Sequence, residues 1–341
     1  MTSPGKIEFS DAPKPAVGAD DVLLRIRRIG ICGSDIHVYH GKHPYTPYPV
    51  VQGHEFCGEV AEVGENVKSL QPGDLATAPP QIVCGTCLPC REGRYHICEN
   101  LKVIGFQAPG VAQEYICFPE STLLKLPSHF TPEVGALVEP AAVAIHAVGR
   151  AGSVSGLDVL VLGAGPIGNL VAQVARWRGA RQVLICDLSS PRLEVARQCG
   201  ITETFNAREG NLEDRVAHVF GAKRADVAFE CVGAAETANQ AIRCLRKGGT
   251  AIVVGVFGDR PQIDLGLVQD RELEIRGTLM YRRQDYVEAI RCLAEGGITT
   301  APLMTKSFSF RRYPDAYEFI EANREKVMKI IIDLDALADP R

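Results

Sequence analysis

The sequence predicts an α/β protein in which a doubly wound parallel sheet is inserted into a discontinuous, β-rich domain. Three observations carry this. From Val22 to Pro127, short apolar runs are broken repeatedly by Gly and Pro, the pattern of irregular β structure. From about Leu157 the pattern changes to strand runs alternating with helical periods, as βα units do. Beyond Gly277 two amphipathic periods and a last apolar strand follow, so the tail is expected to rejoin the first domain. The 341 residues exceed what one hydrophobic core usually serves. The expected division is residues 1–148 and 279–341 for the β-rich domain and 149–278 for the parallel-sheet domain, with an active site in the cleft between them.

In order, strands are expected at Val22–Ile26, Gly58–Val63, Leu75–Ala78 and Glu114–Phe118. Then come a strand at Val159–Leu162, a helix at Ile167–Arg178, a strand at Val183–Cys186 and a helix at Arg192–Gln198. Further units fall at Val227–Glu230, Glu236–Leu245, Thr250–Val256 and Leu273–Arg276. The tail holds helices at Asp285–Glu295 and Pro314–Asn323 and a strand at Val327–Asp333.

Composition narrows the function classes. A formal net charge of −4 and the lack of any Lys/Arg-rich run argue against a nucleic-acid surface. The longest apolar stretches fall far short of about 20 residues, so no membrane span is expected. No charged segment followed by an apolar one opens the chain, so a cytoplasmic protein is expected. There, the twelve cysteines are expected to be free thiols or metal ligands. Cys57, Cys117, Cys186, Cys199, Cys231, Cys244 and Cys292, in apolar or helical contexts, read as small buried side chains.

Cys84, Cys87, Cys90 and Cys98 fall within fifteen residues, a spacing that lets four thiolates converge on one tetrahedral zinc. Disulfides between cysteines three apart would close very tight rings. A closed four-sulfur shell leaves no position for substrate, so its expected role is to fix a loop with little core of its own. Arg91 and Arg94 lie within the loop and are expected to offset its negative charge.

Gly163-Ala-Gly165-Pro166-Ile167-Gly168 follows the Val159–Leu162 run at once and opens a helix. Gly163 permits the tight turn, Gly165 the approach of a pyrophosphate, and Gly168 close helix–strand packing, with the phosphates at the positive helix end. The next strand ends in Asp187, where a carboxylate accepts both ribose hydroxyls. Leu188, Ser189 and Ser190 follow it, not a Lys or Arg, so NAD is expected rather than NADP. Arg192, at the start of the next helix, is a further expected cofactor contact.

Cys32-Gly-Ser34-Asp35-Ile-His37, Gly53-His54-Glu55 and Glu139-Pro140 complete the set. Cys, His and Glu suit a catalytic zinc with an open position, although each taken alone also reads as a buried thiol, a turn histidine or a helix N-terminal acid. Together with the four cysteines, the glycine loop and Asp187, in this order, they make the chain resemble the zinc-dependent medium-chain alcohol dehydrogenases over nearly its whole length. Glu139 in place of a cysteine is similar to the sorbitol, xylitol and threonine dehydrogenase branch.

The resemblance implies a GroES-like catalytic domain with a Rossmann domain, two zinc ions per subunit, and a homotetramer or homodimer. It implies a catalytic zinc held by Cys32 and His54, with Glu139 or Glu55 and water completing the sphere. It also implies a proton relay from Ser34 to His37. The chain begins at what looks like the family's second strand, so edge pairing there is expected to differ.

Zinc lowers a bound water's pKa from about 15.7 to about 7, so no strong protein base is needed. Asp35 is expected to orient the His54 imidazole, and His40 and His43 to be loop or surface groups. A second carboxylate on the ion would weaken its Lewis acidity, so Glu55 and Glu139 are expected to alternate. The leading expectation is hydride transfer from a polyol, sugar acid or related secondary alcohol to NAD. The alternatives are an L-threonine 3-dehydrogenase, a metal-free quinone or enone reductase, and a non-catalytic nucleotide-binding regulator.

Overall fold

The computed structural model describes residues 1–335. In chain order its strands are β1 (Asp21–Gly30), β2 (Glu55–Val63), β3 (Leu75–Thr77), β4 (Gln81–Ile82), β5 (Lys102–Val103), β6 (Tyr115–Pro119), β7 (Leu124–Lys125), β8 (Asp158–Leu162), β9 (Gln182–Asp187), β10 (Glu203–Asn206), β11 (Ala225–Glu230), β12 (Leu245–Val253), β13 (Glu274–Gly277), β14 (Met304–Ser309) and β15 (Lys329–Asp333). The α-helices are α1 (Gly33–Tyr39), α2 (Leu88–Arg91), α3 (Pro132–Ala136), α4 (Val138–Arg150), α5 (Pro166–Trp177), α6 (Ser190–Gln198), α7 (Leu212–Phe220), α8 (Ala235–Cys244), α9 (Leu265–Asp270), α10 (Arg283–Ala294) and α11 (Tyr313–Ala322).

One sheet runs β14-β15-β1-β2-β3-β7, with β6 also on β1; the other runs β10-β9-β8-β11-β12-β13. Every pairing in the second is parallel, and its order reverses between β8 and β11, the topological switch where such sheets bind ligands. β15 pairs with β1, and β14 with β15, so the tail does return to the first sheet. No helix among the described residues is long and apolar enough to cross a membrane.

Burial explains the two layers. Val159, Val161, Leu170, Val174, Ile145 and Val148 share one core that joins β8, α5 and α4. Leu24, Ile26, Phe56, Tyr317, Ile330 and Ile332 share another beneath the first sheet. Each such aliphatic or aromatic side chain contributes about 1.5–3 kcal/mol when fully buried. Helix α4 packs on α5 and α10 and also meets β2, so it belongs to both regions.

The structure differs from the sequence reading at several elements. Strand β1 continues past Ile26 because Arg27 pairs with Glu59 and Arg28 with Glu133, Asp333 and Asp335, so the two cations do not break it. Helix α7 with β10, and strand β14, were absent from the sequence reading; α7 buries Leu212, Val216 and Phe220 on one face. Cys117 and Cys231 are only partly buried, unlike the other five lone cysteines expected inside.

Candidate metal centres and dinucleotide cleft

The lobe between β4 and β5 has almost no apolar interior. Its short helix α2 has no buried residue, and Leu88 is 54 % exposed. What converges there is sulfur: the Sγ atoms of Cys84, Cys87, Cys90 and Cys98 all lie within 4.8 Å of one another. Cys98 is 3.5 Å from Cys84 and 3.8 Å from Cys87. Tetrahedral bonds of about 2.3 Å put sulfurs about 3.8 Å apart, so the spacing fits zinc.

The N–H groups of Thr86 and Cys87 pull the Cys84 thiol down to about 5, whereas burial and the other sulfurs push Cys90 up to about 12. Arg94, expected to offset the sulfurs, pairs with Glu92, 2.5 Å away, and Arg91 is exposed.

A second cluster forms where β1, β2, α1 and α4 meet. Cys32 caps α1, and its N–H donates to the Asp35 carboxylate at 2.9 Å, which starts the helix just where the thiol must stop. His54 and Glu55 lie at the start of β2, 5 % and 0 % exposed, and their donor atoms lie within 4.8 Å of the Cys32 sulfur and of each other. Gly30 makes room: a Cβ there would stand 2.2 Å from a Glu55 oxygen. His54 Nδ1 faces the buried Asp35 carboxylate at 3.6 Å. Burial alone would depress this imidazole, but Asp35 and Cys32 outweigh it and hold its pKa well above the usual value.

Glu139 is outside this triad's tight radius but electrostatically part of it. The second residue of α4, it is 5 % exposed. Burial pushes its carboxyl up to about 7, with Glu55 adding to the rise and His54 and Lys329 opposing it. The Tyr281 hydroxyl donates to its Oε1. Glu55 is held differently: the Lys329 ammonium, 2 % exposed, donates to both its oxygens, at 2.6 Å to Oε2.

Neither Lys329 nor Tyr281 was among the residues singled out from sequence. Lys329 carried a signal, being the one charge amid Val327-Met-Lys-Ile-Ile-Ile; Tyr281 carried none. Tyr281 lies four residues beyond the end of β13, so its bond to Glu139 ties the cluster to the carboxyl edge of the parallel sheet.

At that edge Gly163 has φ +98°, and a Cβ on Gly168 would stand 1.8 Å from the Gly163 carbonyl, so the loop needs glycine at both. Gly165 caps α5, and Pro166 and Ile167, both partly exposed, open its first turn. Asp187 accepts the Ala164 N–H at 2.6 Å and the Ser189 N–H at 2.8 Å, which aims its carboxylate back at the glycine loop. The Arg192 guanidinium lies over Gly165 and donates to the Arg324 carbonyl at 2.5 Å, and the Ser189 hydroxyl donates to the Glu325 carbonyl at 2.6 Å. The cofactor turn therefore touches the first region's tail.

Ser34 and His37 lie three apart on α1, hence on one face, with Ser34 half-buried and His37 exposed. His40 pairs with Glu321 of α11 at 2.6 Å, and His43 stacks on Phe106, whose ring also lies 4.9 Å from that of His54.

Comparison with known proteins agrees with this geometry. Residues 18–128 match the alcohol dehydrogenase GroES-like domain, and residues 166–295 the zinc-binding dehydrogenase family. An L-threonine 3-dehydrogenase from Saccharopolyspora erythraea is 36% identical over 338 residues, 97% of each chain. A zinc-binding dehydrogenase from Sinorhizobium meliloti bound to NADP is 32% identical, with a TM-score of 0.89 and 97% of both chains covered. Galactitol-1-phosphate dehydrogenase from Escherichia coli is 28% identical, with a TM-score of 0.89 over 97% of this chain and 98% of that one. With its GroES-like and Rossmann-type regions and its full-length relatives, this chain belongs to the zinc-dependent medium-chain alcohol dehydrogenase family.

Proposed function

We propose that the protein oxidises the secondary alcohol of a small polar substrate, with L-threonine as the first candidate and polyols as the second, and passes the hydride to NAD. The observation that carries the alcohol chemistry is the buried convergence of Cys32 and His54 at the carboxyl edge of the parallel sheet, with the two buried carboxylates Glu55 and Glu139 coupled to it electrostatically. The order of candidates follows the relatives: proteins named L-threonine 3-dehydrogenase are 33–36% identical over 93–97% of this chain. That ranking reverses the expectation drawn from sequence alone, which put polyols first. The galactitol-1-phosphate enzyme, at 28% identity, keeps polyols as the second reading.

Cys32, His54 and Glu139 would hold the catalytic zinc, and Cys84, Cys87, Cys90 and Cys98 the structural one. Bound zinc supplies a Lewis acid that makes a coordinated hydroxyl acidic near neutral pH. The residues do the rest. Asp35 orients His54 from behind, and Lys329 engages Glu55 so that one carboxylate, Glu139, faces the ion while the other stays neutralised. This replaces free alternation of the two acids by a division of labour. Ser34 and His37, on one face of α1, carry the released proton outward. Asp187 takes the adenosine ribose and favours NAD, Arg192 and the loop Gly163–Gly168 take the pyrophosphate, and residues 149–278 form the nucleotide-binding unit. The β13 edge, with Ile275 42 % exposed, suits the homo-oligomer that the family resemblance implies.

The test is NADH absorbance with L-threonine and a polyol panel. Threonine is expected to turn over fastest; faster turnover of a polyol would invert the ranking, and inactivity with all of them in zinc-loaded protein would remove the reading. Asp187→Ala is expected to weaken NAD and narrow its advantage over NADP, measured as the ratio of KM values. An unchanged ratio would reassign the ribose contact.

A further inference from the structure

The four-cysteine lobe touches more than its own loop. Three residues within or beside it reach the segment that leads into α10, or the helix that carries Glu139. Gln81, three residues before Cys84, donates through Nε2 to the Tyr281 carbonyl at 2.5 Å. Tyr95, inside the lobe, accepts the Arg283 N–H on its hydroxyl at 2.7 Å. The His96 ring stands edge-on to that of His146 on α4, with centroids 4.8 Å apart.

The segment so gripped has its own two-point hold on α4. Tyr281 donates to Glu139, and Asp285 bonds His146 Nδ1 at 2.9 Å, while the Arg282 N–H fixes the same Asp285 oxygen at 2.7 Å. Glu139 and His146 are seven residues apart, so they lie on one face of α4, and Tyr281 and Asp285 are spaced to meet them. Tyr281 and Tyr286 are fully buried and pack edge to face at 5.1 Å, which stiffens the segment between its contacts.

We propose that the four-cysteine lobe positions the active-site carboxylate: Gln81, Tyr95 and His96 hold residues 281–285 and α4 in the register that presents the Tyr281 hydroxyl to Glu139. Tyr95, His96, His146 and Asp285 are then positioning residues for a centre none of them touches. The lobe metal matters to the active site because it fixes the turn Tyr95–Ile97, on which two of the three grips depend. The inference rests on the reading of Glu139 as a metal ligand.

The test uses full-length protein with zinc in the lobe and cobalt in the mixed centre, whose visible bands report its ligand set without turnover. Tyr281→Phe, Tyr95→Phe and Asp285→Ala are each expected to shift those bands. They should also speed cobalt release to a chelator by about 10- to 100-fold, the usual cost of losing an outer partner of a metal site. Asp285→Asn, which keeps an oxygen for His146 and the Arg282 N–H, is expected to restore most of both.

If Tyr281→Phe shifts the bands while Tyr95→Phe and Asp285→Ala leave bands and release rate unchanged, the lobe only stabilises its loop and the proposal is overturned. Glu139→Ala separates the two layers of the argument. Unchanged bands in that variant would show that Glu139 is not a ligand, and both the ligand reading and this proposal would fall together.

Discussion

The two candidate metal-binding regions are built on opposite principles. The four-cysteine lobe is local in sequence, has little apolar cover and draws all its donors from one residue type. The mixed centre gathers Cys32, His54, Glu55 and Glu139 from three elements, α1, β2 and α4, buries the last three to 5 % exposure or less, and adds a cation, Lys329, from the far end of the chain. A closed sulfur shell needs only geometry. An open centre must keep its net charge low enough to remain a good Lewis acid, and that takes a partner for every surplus carboxylate.

The largest expected effect tests that division directly. Cys32→Ala should lower turnover by more than about 100-fold, since even outer partners of metal ligands cost up to about that much. Fold and NAD binding should persist. Cys98→Ala should do the reverse, lowering the melting temperature sharply, because a structural zinc contributes apparent binding energies of about 10–16 kcal/mol. Circular dichroism melts alongside NADH absorbance separate the two; equal loss of fold in both variants would erase the contrast.

Next in size is Lys329→Met. It leaves Glu55, wholly buried, without its counter-cation, and breaking such a pair costs about 3–5 kcal/mol. Urea unfolding measures it. If Lys329 also keeps Glu55 off the metal, the cobalt-substituted variant should show a changed visible spectrum, whereas a loss of stability with identical bands would make Lys329 a purely structural partner.

The same contrast explains what was legible in the sequence. The cysteine lobe and the glycine loop lie in contiguous stretches whose spacing alone states the geometry, so each can be picked out as a candidate from the sequence itself. Cys32, His54 and Glu139 are separated by 21 and 84 intervening residues, and only the family resemblance grouped them. Tyr281 was missed because nothing near it in sequence shows that it faces a carboxylate, and Lys329 although its lone charge in an apolar run points to a buried partner without naming which. Helix α1 was missed as well: seven residues starting at Gly33 show too little periodicity, and it is the Asp35 side chain on the Cys32 N–H that starts it. For β1 the apolar run ends at Ile26, yet the strand runs on to Gly30 with Arg27 and Arg28 paired to carboxylates.

The smallest effect concerns a buried acid outside both metal regions and calibrates the unusual one inside. Asp226 is 3 % exposed, yet it accepts the Asp158 N–H at 2.9 Å, Arg246 at 2.6 Å and Lys223 at 3.1 Å. Burial works against it, but these donors win and hold its carboxyl below the usual range, whereas Glu139, which accepts from Tyr281, is pushed up to about 7. Because the folded-state value of Asp226 is depressed, its contribution is complete above the unfolded pKa of about 3.9 and is lost as pH falls through and below it. Asp226→Asn should therefore cost about 1–3 kcal/mol at neutral pH, and less as the solution is acidified through about pH 4, because the unfolded wild type takes up a proton there while folded Asp226 still keeps its charge. Urea unfolding of both proteins across that range gives the difference. A gap that stays constant would mean that the donors act on Asp226 as ordinary hydrogen bonds, and that charge pairing does not set it apart from Glu139.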